Sequence, residues 1–522
     1  MSEPPEDRVA AVPGAARAWW VALALVLVAI PLWPIVGGMV ATNDDLKFVR
    51  SEAIERGLAH AIADAWRSSP TFRPLDLAMG AMCDPESLAV GSVVVLVQAL
   101  GVLLLASGTV AVARRAAPAF PAAAPLAAIL VLLSPATTAA AWQVDAVSQT
   151  WSGALGAWAL VFAWDGCARA RDGRGTALQV AALCAVFLAG CTVKESFYGW
   201  SASIGGAVIA FASWRAVQRL PGAAAAAWLA LPAVALPALH LGLRLATGAI
   251  GSAAESDPGA RYKAELGLNL LVNAGMAVGG SVATGPFHAV PDDGAPLALR
   301  AAPVLAALAA VGAVIVAIGF GALHRASGGL SRLAPSLLAA IVSVGSLVVV
   351  LPMGSVSELY CLGANVGASV LVAAALCALW DPLAADERSL CRAVAVPCAL
   401  AMLAIGALGL AGRAYHHRIT WSYARACNDA ILSKARAAEP VDPASGRAAC
   451  VVYFPGPCIL GRTYGQYVIP PAQAIGIEET GPWLRRRDPS RPVAFTVAVP
   501  SGDPRPQDLV LDCASMPPRA CW

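Results

Sequence analysis

Charge is scarce in this chain. Of 522 residues only 13% are Asp, Glu, Lys or Arg, while 58% are hydrophobic; an average soluble domain carries about a quarter charged residues. A water-soluble fold could not hide so much apolar surface. Excess charge of one sign is lacking too. The 36 Lys and Arg against 33 Asp and Glu leave a formal net charge of +3, and no basic stripe interleaved with aromatics runs along the chain, so nucleic acid is set aside as a partner. The 13 Cys show no Cys-x-x-Cys or Cys/His metal spacing, and cysteine therefore implies no metal centre. Those inside apolar runs (Cys184, Cys191, Cys377 and Cys398) read as small packing residues. No convincing small-residue cleavage site follows the first apolar run, Trp19 to Val40, which is longer than a signal-peptide core and is expected to remain as a first helix.

What the chain does have is a series of apolar runs of roughly twenty residues, the length that crosses a hydrocarbon core of ~30 Å. Ala, Val, Leu and Gly dominate them, and small residues suit close helix packing in lipid. The runs predict membrane helices near 19–40, 88–112, 122–141, 146–164, 176–193, 199–214, 223–246, 301–322, 334–353, 359–380 and 392–412. The weakly apolar, Gly-rich stretch 266–287 is broken by Asn269, Asn273 and Thr284, and reads as re-entrant. With about eleven spans the loops carrying Arg114 and Arg115, Arg169 to Arg174, Arg215 and Arg219, and Arg325 to Arg332 all fall on one side, which the positive-inside rule makes cytoplasmic.

The expected fold class is thus an all-α polytopic membrane bundle with a small C-terminal extracytoplasmic domain, α/β or mainly β. Residues 1–18 form a cytoplasmic tail, 19–412 the membrane domain with a long first extracytoplasmic loop at 42–87, and 413–522 the soluble domain. Its short β-like runs lie at 449–454, 493–499 and 508–512. Cys427, Cys450, Cys458, Cys513 and Cys521 there are compatible with one or two disulfides in an oxidising periplasm. The expected location is the inner (plasma) membrane, with the N-terminus cytoplasmic and the C-terminal domain periplasmic.

The polar clusters collect on the side opposite the basic loops. Asp44 and Asp45 stand directly after the first run, where a carboxylate can act as general base on an acceptor hydroxyl or ligate a divalent ion, Mg or Mn, beside a phosphate. The plainer reading is a cap for a following helix over 46–67. Arg73 lies in Phe72-Arg73-Pro74-Leu75, where proline pins the backbone and a guanidinium can grip a phosphate bidentately. Lys194 and Glu195 follow a helix end; charges at the edge of an apolar bundle are costly unless paired or working, and the alternative is a pair snorkelling outward. His240 and Arg244, four apart, face an interior polar pocket or snorkel. His416 and His417, beside Arg413 and Arg418, read as an interfacial cluster, and His288 lines the site only if 266–287 is re-entrant.

The order of these motifs, an Asp pair after the first helix, Arg-Pro-Leu, a mid-chain Lys-Glu, then Ser357-Glu358-Leu359-Tyr360 before a late helix, resembles the GT-C superfamily of membrane glycosyltransferases. It is similar in particular to the branch of dolichyl-phosphate-mannose protein mannosyltransferases and their bacterial relatives. The resemblance covers roughly residues 18–412. It implies a catalytic acid at Asp44 or Asp45, a polyprenyl-phosphate-linked sugar donor entering from the bilayer, and Arg73, Lys194, Glu195, Glu358 and Tyr360 as donor-phosphate or substrate-binding residues. The acceptor would be a protein, lipid or polysaccharide, and a single displacement would invert the anomeric centre.

This sequence departs from the pattern twice. Leu359 stands where the family has Arg, and Ser134-Pro135 where relatives often show His-Pro, with Asp145 just downstream as a second polar wall or a helix cap. Two other classes compete with the transferase. A transporter or flippase would show two halves related by an internal repeat, which is not visible. A catalytically inactive GT-C-like envelope assembly protein would fit the missing Arg.

Overall fold

In a computed structural model of the chain, the described residues are 56–68, 72–84, 89–248, 329–352 and 358–380, with isolated positions elsewhere and five short strands in the tail. The expected spans 19–40, 301–322 and 392–412, the stretch 266–287, Asp44, Asp45, His288, His416, His417 and the tail cysteines lie outside them, apart from single positions within the runs.

Eleven α-helices are present among the described residues: α1 Leu58–Ser68, α2 Pro74–Gly80, α3 Ser92–Ala116, α4 Ala123–Leu132, α5 Pro135–Ala141, α6 Val147–Arg171, α7 Ala177–Val193, α8 Phe197–Val217, α9 Ala223–Ala246, α10 Gly329–Gly345 and α11 Leu362–Trp380. Short 3-10 turns at Ser346–Val349 and Glu358–Cys361 follow α10 and precede α11. Four segments, Ser92–Ala116, Ala223–Ala246, Arg332–Val349 and Leu359–Ala378, are long and apolar enough to cross a membrane, and the chain is a multi-pass membrane protein. Helices are the natural outcome of such runs, because lipid offers no partner for a free backbone N–H or C=O.

The helix formed by Leu359–Ala378 is the most enclosed of the four, with 83% of its apolar window buried. It packs on α10, α4 and α6, while α3 lies along α6, and α8 along α9. The interior is built of Ala, Val, Gly and a few aromatics such as Trp142, Phe187, Phe197 and Trp200, whereas Leu96, Trp228, Leu231 and Ile341 point outward, as a lipid solvent allows. Cys191 packs inside as expected; Cys184 instead faces out.

Two expected helices are corrected. The run 122–141 is broken at Ser134, whose extended backbone (ψ 147°) ends α4 and caps α5, its Oγ accepting the Thr137 N–H at 3.3 Å. Pro135 has no N–H to continue the ladder and disfavours helix in the residue before it. Buried Gln98 of α3 then satisfies the far end of α5, donating to the Ala140 and Gln143 carbonyls at 3.1 and 2.9 Å. The helix expected over 46–67 does not run through residue 57: Gly57 adopts φ +97°, and α1 begins only at Leu58.

Side-chain contacts sort the helix ends. Arg115 forks onto Asp165 (2.6 and 2.7 Å), tying the end of α3 to that of α6. Arg215 reaches the Arg171 carbonyl at 3.3 Å, adding the end of α8, and Ser336 donates to the Ala116 carbonyl at 2.8 Å, adding the first half of α10. The basic loops thus gather at one end of the bundle. The start of α6, the end of α7 and the start of α8 lie at the other.

In the tail, β1 Val452–Tyr453 pairs in parallel with β4 Val497–Ala498 and β5 Leu509–Val510, in the order β4-β1-β5. Strands β2 Arg462–Tyr464 and β3 Tyr467–Val468 form an antiparallel pair.

Close approach between α8 and the turn after α10 depends on Gly199, where an added Cβ would collide with the Ser346 carbonyl oxygen, a backbone atom that cannot rotate away. Gly199→Val is therefore expected to destabilise the bundle by about 1–3 kcal/mol or more. Thermal unfolding of the detergent-solubilised protein measures this, and an unchanged Tm would remove the close approach from the account.

Candidate functional site

The end of the bundle opposite the basic loops carries a buried cluster of charge. Arg73 immediately precedes α2, whose first residue is Pro74; proline suits that position because the first helical N–H has no intrahelical partner. The resulting turn buries Asp76, 0% exposed. Asp76 reaches the first turn of α6, where one carboxylate oxygen accepts the Ser148 backbone N–H at 2.9 Å and the other the Ser148 hydroxyl at 2.7 Å. A carboxylate there meets two otherwise orphaned donors and the positive pole of the helix.

Lys194 ends α7 in an extended conformation (φ −159°, ψ 142°) and begins the turn into α8. Its side chain is 4% exposed, and Nζ donates to Ser148 Oγ at 3.4 Å. The next residue, Glu195, accepts from Arg73 at 3.2 Å, an ion pair whose side chains are 14% (Arg73) and 26% (Glu195) exposed. The chain of contacts Lys194, Ser148, Asp76 thus lies beside the pair Arg73 and Glu195. Asp145, also buried, adds attraction for Lys194. A polar seam continues between α6 and α8, with Ser196 donating to Gln149 at 3.1 Å and standing 3.3 Å from Ser152.

These groups do not titrate as they would in water. Burial pushes the Asp76 carboxyl up to about 7, against the opposing pull of Lys194, Arg73 and the Ser148 bonds. Burial, then the neighbouring Arg73, lowers Lys194. Burial alone would raise Glu195, but Arg73 and Lys194 together outweigh it and hold the carboxyl below its ordinary range. The arrangement can present two cations to an anion, and can hold or release one proton at Asp76 near neutrality.

Next to the cluster, aromatic residues fasten the first loop to α9. The Arg244 guanidinium lies 5.7 Å from the Trp66 ring centroid and 5.6 Å from that of Phe72. His240 stacks edge-on against Trp66 at 5.3 Å, and its Nδ1 shares a hydrogen bond with the Tyr198 hydroxyl.

Of the residues singled out in the sequence, the fold brings together Arg73, Lys194 and Glu195. Lys194 is enclosed instead of snorkelling, and Arg244, 3% exposed, is interior as well. The turn Glu358–Cys361 packs on α5 at this same end, with Leu359 and Tyr360 partly buried against the core; the Glu358 side chain lies outside the described residues. Sequence reasoning missed Asp76 and Ser148. The available signal for Asp76 was its place three residues after Arg73 across a helix-starting proline, which puts both on one helical face. Among the described residues no group of three or more His, Cys, Asp and Glu could hold a metal ion.

No protein-family model matches the chain, and no curated protein matches it. Among the solved structures that are similar in outline are three of two kinds. The oligosaccharyltransferase of Archaeoglobus fulgidus in its apo form shares 13% identity at TM-score 0.44, covering 85% of this chain and 63% of its own. AglB from the same organism, in complex with an inhibitory peptide and a dolichol-phosphate, shares 12% at TM-score 0.45, covering 92% and 65%. ArnT from Cupriavidus metallidurans, bound to undecaprenyl phosphate, shares 15% at TM-score 0.44, covering 97% and 91%. The chain spans less than two thirds of the oligosaccharyltransferases' length. AglB and ArnT are GT-C glycosyltransferases; at these identities and TM-scores the likeness is one of outline only.

Because folded Asp76 keeps its proton up to about pH 7 whereas the unfolded carboxyl, at the ordinary 3.8, loses it earlier, folding takes up a proton between these values. That contribution to stability is fully present below pH 3.8 and is lost as pH rises through about 7. Asp76→Asn removes the dependence. The Tm of wild type relative to the variant should fall by several degrees between pH 4 and 7 and level off above; a difference constant with pH would sink the assignment.

Proposed function

We propose that this chain is a membrane glycosyltransferase that moves a sugar from a polyprenyl-phosphate-linked donor to an acceptor on the extracytoplasmic face. The observation that carries the reading is the half-buried pairing of Arg73 with Glu195 beside the buried Lys194, Ser148 and Asp76 at one end of an apolar bundle. Buried charges are costly to desolvate and a poor source of stability, whereas an anionic lipid headgroup needs cations held at the membrane boundary. Arg73 and Lys194 have that place, and each is already matched by an acid that can be exchanged for phosphate.

In this reading the lipid phosphate takes Arg73 and Lys194, while Asp44 or Asp45 accepts the proton of the acceptor hydroxyl. The acceptor oxygen attacks the sugar C1 from the face opposite the phosphate; the bond from C1 to the phosphate oxygen breaks, the leaving charge is stabilised by the two cations, and the anomeric centre inverts. Glu195 orients Arg73, and Glu358 and Tyr360 bound the site from the turn before α11. Asp76 sets the charge state around Lys194, so donor binding should respond to pH near neutrality. No step is routed through a metal. The acceptor is a protein, lipid or polysaccharide, and the site faces the periplasm.

One observation favours an inactive scaffold instead: Leu359, at the position of the family's late Arg, packs against the apolar core, so no cation is contributed there. Turnover separates the two. With purified protein, a polyprenyl-phosphate sugar and cell-envelope acceptors, Arg73→Ala and Lys194→Ala should each lower transfer by about a hundredfold, and one of Asp44→Asn and Asp45→Asn should abolish it. Donor binding without transfer in the wild type would leave the scaffold; full activity in all four variants would overturn the site.

A further inference from the structure

At the basic end of the bundle a groove of about 480 Å³ runs between α6, α8 and α10, within the range of about 300–1,000 Å³ usual for ligand sites. Its walls are apolar, with Leu160, Trp164, Phe211, Trp214 and Leu338 among them, and among the described residues Arg171 is the one charged group lining it. Such walls would strip water from a sugar or nucleotide without replacing its hydrogen bonds. An alkyl chain loses nothing there.

The dimensions narrow the occupant. On α8 the lining runs from Ile204 to Trp214, about 15 Å along a helix, which is close to half of a ~30 Å hydrocarbon core. The groove is therefore one leaflet deep, and its polar end coincides with the rim of basic loops. At that rim Arg171 and Arg174 share one acid, Asp172, at 3.3 and 2.7 Å, with the arginines 65% and 62% exposed. Exposed pairs of this kind are worth little, and two cations on one acid leave the rim positive. Trp214, 53% exposed beside it, has the place of an interfacial aromatic.

We propose that this groove is a binding site for an anionic glycerophospholipid, one acyl chain lying between α6, α8 and α10 and the headgroup phosphate meeting Arg171 and Arg174. Basic rims over grooves between membrane helices recognise such headgroups by charge. The site stands at the opposite end of the bundle from the cluster of Arg73, Asp76 and Lys194, so it is separate from the proposed donor site and independent of it.

Native mass spectrometry of the full-length protein, delipidated and then titrated with phosphatidylglycerol or phosphatidylcholine, tests the proposal. Wild type should retain one phosphatidylglycerol under activation that strips phosphatidylcholine. Ala210→Trp, filling the groove from an exposed position, should weaken that binding by about tenfold or more; the milder Ala210→Leu should weaken it less, with the Tm of both unchanged. Arg171→Gln should erase the preference between the two lipids. Equal retention of both lipids by wild type, undiminished binding in Ala210→Trp, or a dimer whose formation excludes lipid would each overturn it.

Discussion

A carboxylate with no exposure to solvent cannot stay in an apolar bundle without donors, and Asp76 finds its donors in the first turn of α6. The need to match every buried charge at the membrane edge organises the surrounding chain. Asp76 stands at the positive pole of α6, and Lys194 at the negative pole of α7, so each group lies where a helix dipole favours it. Ser148 lies between them, giving its hydroxyl proton to Asp76 and accepting from Lys194. Removing one member would strand the others in a low dielectric, which is why α2, α6 and α7 meet at a fixed point.

The same constraint gives the bundle its polarity. Arg115, Arg171 and Arg215 gather where α3, α6 and α8 end, and there Arg115 pairs with Asp165, Arg171 with Asp172, and Arg215 with backbone carbonyls. At the other end acids and cations are interleaved and enclosed. Exposed charges such as Arg171 and Arg174 depend little on a matching partner, whereas enclosed ones such as Asp76 and Lys194 require one.

Three charges of the mixed end, Arg73, Lys194 and Glu195, were legible in the sequence because they interrupt largely apolar surroundings, where a charge demands a reason. Asp76 was not, since Pro74 to Gly80 is too short and too ordinary in composition to announce a helix, and only that helix turns Asp76 inward. The break at Ser134 was hidden by hydropathy for a related reason: averaging over twenty residues does not see a proline whose preceding serine caps a new helix. His240 and Arg244 were read as an i, i+4 pair, but periodicity along one helix says nothing of Trp66 and Phe72, which come from the first loop, more than 160 positions away.

That last contact explains how the first loop keeps its place. A loop carrying a phosphate-seeking arginine must hold it in one position or lose much of its affinity to disorder. Arg244 lies against both Trp66 and Phe72, and a planar guanidinium can stack on two rings where a lysine ammonium would meet them only as a point charge. Phe72 is the residue before Arg73, while Asp76 lies three after it. Arg73 is thus fixed from one side by an aromatic contact to α9 and from the other by the Asp76 carboxylate held at the start of α6, so its reach toward Glu195 is set by two anchors that use different physics. A change in pH acts on the carboxylate and leaves the guanidinium–aromatic anchor in place, and the loop therefore has one adjustable side and one fixed side.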